Sequence, residues 1–182
     1  MTRPLALLAL LPSLAACAAF APRYNERPRH WEAQRFPVPI LADTRCEREL
    51  QRAAEYWEVS ATEYAGRPVA LFATHRAAVY DAQPPRGEIW LVDGAMPAPD
   101  VLGTTETWTY LARRETLWSA LVTLDESRPC DWVVVAHELG HALGLGHNAE
   151  GCLMYYQRAR NSQRIHDDEL ELVMRAYRGE AL

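Results

Sequence analysis

The sequence predicts one α/β (α+β) domain in which helices pack against a single mixed sheet. Short runs of β-branched and aromatic residues alternate along the chain with segments whose apolar residues recur at helical spacing. The length of 182 residues suits one domain of ordinary size. A hydrophobic fraction of 49% supplies enough apolar side chains for a sizeable core.

The charge of the chain limits its partners. The formal net charge is -5 at pH 7, and no basic patch of useful size is visible in the sequence. Because nucleic acids are bound through clusters of Lys and Arg, we exclude nucleic acid as a partner. We expect the protein to be a monomer.

We expect residues 1–16 to be a leader that does not belong to the fold. Arg3 supplies a positive charge, and residues 5–14 form an apolar segment too short to span a bilayer, which needs roughly twenty residues. The leader ends in the residues LAAC, which finish at Cys17 and resemble the lipobox of bacterial lipoproteins. An ordinary secretory signal with an incidental cysteine is the alternative.

The lipobox resemblance implies cleavage before Cys17 and acylation of its thiol, with palmitate among the lipids. The protein is then a lipoprotein of the bacterial cell envelope. Ala18 follows the cysteine and indicates the outer membrane, with the domain facing either the periplasm or the cell surface. Residues 17–36 are rich in Arg, Pro and Glu and lack an apolar period, so they predict a tether. The domain is expected at residues 37–182.

The first half of the domain reads as a strand, a helix and two further strands. Residues 37–41 are expected to form the first strand. Thr44 and Glu47 fit a capping box for a helix at 45–59. Apolar residues follow at helical spacing, namely Leu50, Ala53, Ala54 and Trp57. The β-like runs then lie at 69–73 and 88–92.

The second half adds two strands and two helices. Residues 103–108 and 117–124 are β-like, and the latter run alternates as a strand with one buried face. Asp131 is expected to cap a helix that ends at Gly144. The final helix is predicted at 168–178, with acidic residues at its start and arginines at its end, as the helix dipole favours.

Three cysteines remain once Cys17 is set aside. An oxidising compartment predicts one disulfide and one free thiol among Cys46, Cys130 and Cys152. Cys130 and Cys152 bracket the histidine-rich stretch described next, and a bridge between them would contribute about 3 kcal/mol by the chain-entropy estimate. Pairing of Cys46 with either of the others remains open.

The stretch HELGHALGLGH at 137–147 places three histidines and one glutamate among small and aliphatic residues. On a helix, His137 and His141 lie one turn apart on the same face. Gly144 can adopt the left-handed conformation that ends the helix and reverses the chain. The turn brings His147 back toward the other two imidazoles.

Three imidazoles leave one tetrahedral position of a zinc ion open for water, which is typical of a catalytic site. Glu138 adjoins the first histidine and is close enough to accept a proton from that water. A zinc ion lowers the pKa of bound water to about 7, so hydroxide can form at neutral pH. The pattern therefore predicts a metal-assisted hydrolase.

These residues match HExxHxxGxxH, the signature of the metzincin metalloproteases, at every fixed position. Downstream, CLMY at 152–155 resembles the Met-turn of that family, and residues 167–177 resemble the C-terminal helix of its matrixin branch. The resemblance covers residues 88–180. It implies a metzincin-like catalytic domain with a twisted mixed sheet of about five strands, an active-site helix, a Met-turn and a C-terminal helix.

The resemblance also implies a role for each residue. One catalytic Zn²⁺ is bound by the three histidines, namely His137, His141 and His147, and Glu138 activates the zinc-bound water. Met154 forms a hydrophobic floor beneath the histidines. Tyr156 occupies the place of a tyrosine that stabilises the oxyanion in astacin-like and serralysin-like metzincins. Matrixins usually have proline there, so a catalytic role for Tyr156 and a place in the pocket wall both remain open.

The function implied is that of a zinc-dependent endopeptidase acting on protein or peptide substrates. An extended substrate is expected to add a strand, through backbone hydrogen bonds, to an edge strand near 117–124. The alternative is a surface or periplasmic binding lipoprotein that keeps zinc but cleaves nothing. The intact Glu138 favours the enzyme, because binding alone does not need that carboxylate.

Overall fold

A computed structural model of the chain describes residues 29–77, 87–147, 152–155 and 163–180. These residues form five strands, three α-helices and a short 3-10 helix at Ala33–Arg35. The strands are β1 (Val38–Asp43), β2 (Phe72–Arg76), β3 (Glu88–Gly94), β4 (Gly103–Tyr110) and β5 (Arg113–Asp125). The helices are α1 (Glu47–Ala65), α2 (Trp132–Ala142) and α3 (Asp167–Arg178). The predicted α/β fold is confirmed.

The strands form one mixed sheet in the order β2-β1-β3-β5-β4. β1 runs parallel to β2 and β3, β3 runs parallel to β5, and β4 runs antiparallel to β5. The prediction of an edge strand near 117–124 is therefore wrong, because β5 lies between β3 and β4. β4 is the edge strand on this side, since a tight turn after Tyr110 folds β5 back along it.

The core lies between one face of the sheet and the helices. Strand alternation puts every second side chain on that face. Trp57 of α1 and Leu139 of α2 are both fully buried there. The strands contribute Ile40, Ile89, Leu91, Ala120 and Val122 to the same cluster. This packing holds α2 against the sheet, which matters because α2 carries the histidines.

Helix α1 starts later and ends later than predicted. The N-cap residue is Cys46, with no side-chain cap, so the capping box of Thr44 and Glu47 is wrong. The Thr44 hydroxyl instead donates a 2.9 Å hydrogen bond to the Asp93 carboxylate of β3, a long-range partner. The helix ends at Ala65, and its C-cap residue Gly66 has φ +64°. Among the described residues, no helix is long and apolar enough to cross a membrane.

Strand β2 begins at Phe72 rather than at residue 69. The backbone amides of Leu71 and Phe72 both donate to the Glu58 carboxylate of α1, at 2.9 and 3.0 Å. The Val69 amide donates to the Thr62 hydroxyl at 3.0 Å. The first part of the predicted run is therefore held by helix side chains, and the strand is shifted toward the C-terminus.

The disulfide joins Cys46 to Cys130, with Cα atoms 5.4 Å apart, and Cys152 is a buried thiol outside this bridge. The expected pairing of Cys130 with Cys152 is therefore wrong. Cys130 precedes α2, whereas Cys152 adjoins Leu153, whose carbonyl oxygen lies 2.8 Å from the His137 ring. His137 lies five residues, or about 7.5 Å of helix, beyond the first residue of α2, so the two cysteines lie at different levels of that helix.

Residues 29–36, which the sequence placed in the tether, pack against the domain. Trp31 is fully buried. The His30 amide donates to the Glu115 carbonyl, and the Leu117 amide donates to the His30 carbonyl, both at 2.8 Å. Residue 30 therefore extends the sheet beside the start of β5. The buried Trp31 was missed because a lone tryptophan among Arg, Pro and Glu has no periodic apolar neighbours.

Candidate metal centre

Helix α2 positions two of the three histidines. Asp131 is its N-cap, and its carboxylate accepts a 2.9 Å hydrogen bond from the Val133 amide, as the sequence predicted. The Trp57 indole donates to the Ala136 carbonyl at 2.8 Å, directly before the first histidine. His137 and His141 project from the same face of this helix, and their ring centroids lie 4.7 Å apart.

The turn after α2 brings the third histidine to the first two. Gly144 has φ +103°, a conformation that L-residues with side chains rarely adopt. The Leu145 amide donates to the Gly140 carbonyl at 3.0 Å, which closes the end of the helix. The His147 Nε2 then lies 3.1 Å from the His141 Nε2, which in turn lies 3.1 Å from the His137 Nε2.

The N-terminal segment packs against this turn. A Cβ atom on Gly144 would lie 2.0 Å from the carbonyl oxygen of Arg29, so only glycine fits. The Trp31 indole donates a buried 2.8 Å hydrogen bond to the Ala142 carbonyl. A carbonyl in the last turn of a helix has no partner within the helix, so the Trp31 indole supplies the hydrogen bond that the Ala142 carbonyl otherwise lacks.

The ring hydrogens of two histidines are fixed by their backbone partners. The Nδ1 of His137 lies 2.8 Å from the Leu153 carbonyl oxygen, and the Nδ1 of His141 lies 2.8 Å from the Leu145 carbonyl oxygen. A carbonyl oxygen only accepts, so each Nδ1 carries the hydrogen and donates it. The Nε2 atoms of both rings therefore present lone pairs toward each other. That arrangement is repulsive unless a cation lies between them.

The donor set fits a zinc ion. Nitrogen ligands at 2.0–2.1 Å in a tetrahedron lie about 3.3 Å from one another, close to the 3.1 Å separations seen here. All three donor atoms lie within 4.8 Å of one another. Burial lowers the pKa of His137 and of His147. Burial, together with the nearby His137, lowers the pKa of His141 to about 3. The imidazoles are therefore neutral, as metal binding requires.

Glu138 lies next to the first histidine and points toward the edge strand. Its side chain is buried, and its Oε2 accepts a 2.7 Å hydrogen bond from the Thr105 hydroxyl of β4. Burial raises the pKa of Glu138 to about 7, and the Thr105 hydrogen bond acts in the opposite direction. A cation at the three imidazoles favours the ionised carboxylate. The carboxylate thus lies against β4, on the helix that carries the histidines.

Met154 lies directly beneath α2 and is fully buried. A Cβ atom on Gly140 would lie 2.3 Å from the Met154 sulfur, so the thioether packs where a larger residue would clash. The Leu153 carbonyl just before it orients the His137 ring. Met154 therefore packs against α2 at Gly140, and its role as a hydrophobic floor beneath the histidines stays a prediction.

The turn that carries Met154 contacts helix α3 and the residues just before it. Glu169 is fully buried, and its carboxylate accepts a 2.8 Å hydrogen bond from the His166 amide at the start of that helix. The Leu153 amide donates to the Arg164 carbonyl at 2.8 Å. Burial, together with Glu169, raises the pKa of the Cys152 thiol to about 12, so this cysteine is protonated and unreactive.

Two predicted site residues lie outside the described residues. They are Tyr156, for which a catalytic role and a place in the pocket wall were both left open, and the lipidation candidate Cys17. Conversely, the structure reveals Thr105, Gly103 and Trp31 at the site, which the sequence reasoning missed. No local signal points to them, because a threonine or glycine in a β-like run is ordinary and its partner is distant in sequence.

A half-buried three-histidine centre with an adjoining glutamate, on a helix that contacts the edge strand, is typical of a zinc metallopeptidase site. Residues 49–178 match the family model of the matrixins. The chain belongs to the matrixin family, and the predicted resemblance of the domain is confirmed. No curated protein matches the sequence. Matrixins are zinc-dependent peptidases, so the protein is a zinc metallopeptidase whose substrates are proteins or peptides.

Proposed function

We propose that the protein is an endopeptidase that cleaves peptide bonds within extended segments of its substrates. The observation that carries this proposal is the buried Glu138 carboxylate, which follows His137 on α2 and accepts a hydrogen bond from Thr105 of the edge strand β4. A general base must lie within hydrogen-bond reach of the water that it activates. A site that only stored zinc would have no use for a carboxylate there.

The chemistry divides between the metal and the chain. When bound, Zn²⁺ supplies a Lewis acid that polarises the scissile carbonyl and acidifies a water molecule. Glu138 accepts the proton of the attacking water and then donates it to the leaving amine. The three imidazoles would hold the metal, and backbone carbonyls fix the Nε2 lone pairs of His137 and His141 toward it. Met154 keeps the space beneath His137 and His141 apolar.

The edge strand β4 is the site that we propose for the substrate backbone. β4 pairs with β5 on one side, and within the described residues no strand pairs with its other side. An extended peptide can therefore add to this edge through backbone hydrogen bonds. Thr105 of β4 contacts Glu138, so a peptide along this strand passes the general base. A peptide paired along a strand edge can extend on both sides of the general base, which suits internal cleavage. A role for Tyr156 at the oxyanion remains a prediction.

The experiment compares the wild-type protein with Glu138→Gln on a quenched-peptide library. We expect the variant to keep its zinc and to lose activity by about 10²–10⁴-fold, because a glutamine side chain cannot accept the proton. Glu55→Gln, an exposed position on α1, is the matched control and should retain full activity. Two zinc-loaded proteins that are equally inactive would contradict the proposal and favour a binding lipoprotein that cleaves nothing.

We also propose that the protein is anchored in the outer membrane of a bacterial envelope through lipid on Cys17. The support is the apolar leader that ends in LAAC and the position of Ala18. Labelling of cells with a palmitate analogue should mark the wild-type protein and leave Cys17→Ser unlabelled. Membrane fractionation should place the protein with outer-membrane vesicles, and surface protease treatment should then separate a periplasmic from an exposed domain. Recovery of unlabelled wild type in the soluble fraction would contradict the anchor.

A further inference from the structure

We propose that Thr105 is a positioning residue that fixes the Glu138 carboxylate for proton transfer. The inference rests on the proposed function of Glu138 as the general base. Among the described residues, the Thr105 hydroxyl makes its hydrogen bonds to Glu138 and not to the histidines, so it acts through the carboxylate and not through the metal. Its partner lies 33 residues further along the chain, on a different element.

The contact between Thr105 and Glu138 has two parts. The Thr105 Oγ1 lies 2.7 Å from the Glu138 Oε2 and 3.1 Å from the Glu138 backbone carbonyl oxygen. Both partners accept, and a hydroxyl has one hydrogen to donate. A hydrogen bond to a carboxylate is stronger than one to a neutral carbonyl, and its shorter distance agrees with that. The hydroxyl therefore donates to the Glu138 carboxylate and holds that side chain against β4.

Gly103 confines the other side of the same carboxylate. A Cβ atom at Gly103 would lie 2.9 Å from the Glu138 Cγ and 3.0 Å from its Oε1. Gly103 and Thr105 are two residues apart and share one face of the strand. Their positions are fixed by pairing with Leu124 and Val122 of β5. β4 thus forms a slot in which Oε1 lies over a glycine and Oε2 meets a hydroxyl.

A fixed carboxylate matters for the rate of proton transfer. A glutamate side chain has several staggered rotamers, and only some of them direct an oxygen to a given water. A misplacement of about 1 Å can lower a rate by about 10²-fold. The loss appears in kcat and not in KM if the side chain acts only on the chemical step. A residue that merely stabilised the sheet would lower neither quantity in the folded fraction.

The experiment uses three variants of the full protein, assayed for kcat, KM, zinc content and melting temperature. Thr105→Val removes the hydroxyl and keeps the shape, so we expect kcat to fall about 10- to 100-fold while KM changes by less than about two-fold. Thr105→Ser restores the hydroxyl and should recover most of kcat. Thr123→Val is the control, because Thr123 follows the core residue Val122 and faces the opposite side of the sheet.

The outcomes separate this inference from the proposed function. If the wild type is active and Thr105→Val is equally active, the role of Thr105 is overturned while the proposed function stands. The same conclusion follows if Thr105→Ser is no more active than Thr105→Val. Inactive, zinc-loaded wild type contradicts the proposed function and the inference with it. If the Val variant does not fold, Gly103→Ala tests the same slot without removing the hydroxyl. Its methyl group should displace the carboxylate and lower kcat, and unchanged kcat in that variant would overturn the inference.

Discussion

The two ends of α2 are held in different ways. At the N-terminal end, Cys130 is bonded to Cys46 and Asp131 caps the first turn, so covalent and local contacts fix the helix. At the C-terminal end, the carbonyl of Ala142 and the turn at Gly144 are covered by the segment that begins at Arg29. Within the described residues, no disulfide restrains that end, although it presents the metal ligands.

The difference shows how stability and function are divided along one helix. A covalent bridge restrains the unfolded chain and tolerates small shifts of the folded one. Metal ligands need positions accurate to a fraction of an ångström, and buried hydrogen bonds with close backbone packing provide that accuracy. The N-terminal end therefore serves mainly global stability. The C-terminal end serves the geometry of the histidines, so damage to it should lower zinc affinity.

The largest expected effect on stability follows from opening the disulfide. A bridge with a sequence separation of 84 contributes about 4–5 kcal/mol by the chain-entropy estimate. Cys46→Ala with Cys130→Ala should lose stability of that order in urea unfolding of the zinc-loaded protein. Cys152→Ala is the control and should lose about 1 kcal/mol, as a small buried truncation does. A Cys152 variant as unstable as the double variant would indicate the other pairing.

A smaller effect on stability, with a larger one on zinc, should follow from Trp31→Phe. The change leaves the Ala142 carbonyl buried without its indole donor, which costs about 1–3 kcal/mol. Trp57→Phe is the matched control, because its indole also donates to an α2 carbonyl at 2.8 Å. The Ala136 carbonyl keeps its helical partner, so the control should cost less. We expect chelator competition to show weaker zinc binding for Trp31→Phe and not for Trp57→Phe. Equal weakening in the two variants would contradict the idea that the C-terminal end of α2 alone sets the geometry of the histidines.

Local patterns predicted the elements that carry the ligands. The four-residue spacing of His137 and His141, the cap at Asp131 and the helix-ending Gly144 all concern neighbours in sequence, and the structure places each as expected. The β-like runs from residue 88 onward likewise fall within β3, β4 and β5. In each case the spacing of residues along the chain determines the local structure, and that spacing can be read from a single sequence.

Long-range contacts account for what the sequence did not predict. The partner of Cys130, the edge position of β4 and the hydrogen bond from Thr105 to Glu138 each join segments far apart in the chain. The predicted capping role of Thr44 is wrong for the same reason, because its hydroxyl donates to the distant Asp93 carboxylate. Such choices depend on which strands meet, and a single sequence leaves several pairings open.

The central claim is that the fold brings three imidazoles to one point where they bind zinc. The most direct test is the zinc content of the purified, folded protein compared with that of His141→Ala. His75→Ala, an exposed position on β2, is the control. We expect about one zinc per chain in the wild type and in the control, and loss of that zinc in the His141 variant. A folded His141 variant that keeps the same zinc as the wild type would contradict the account.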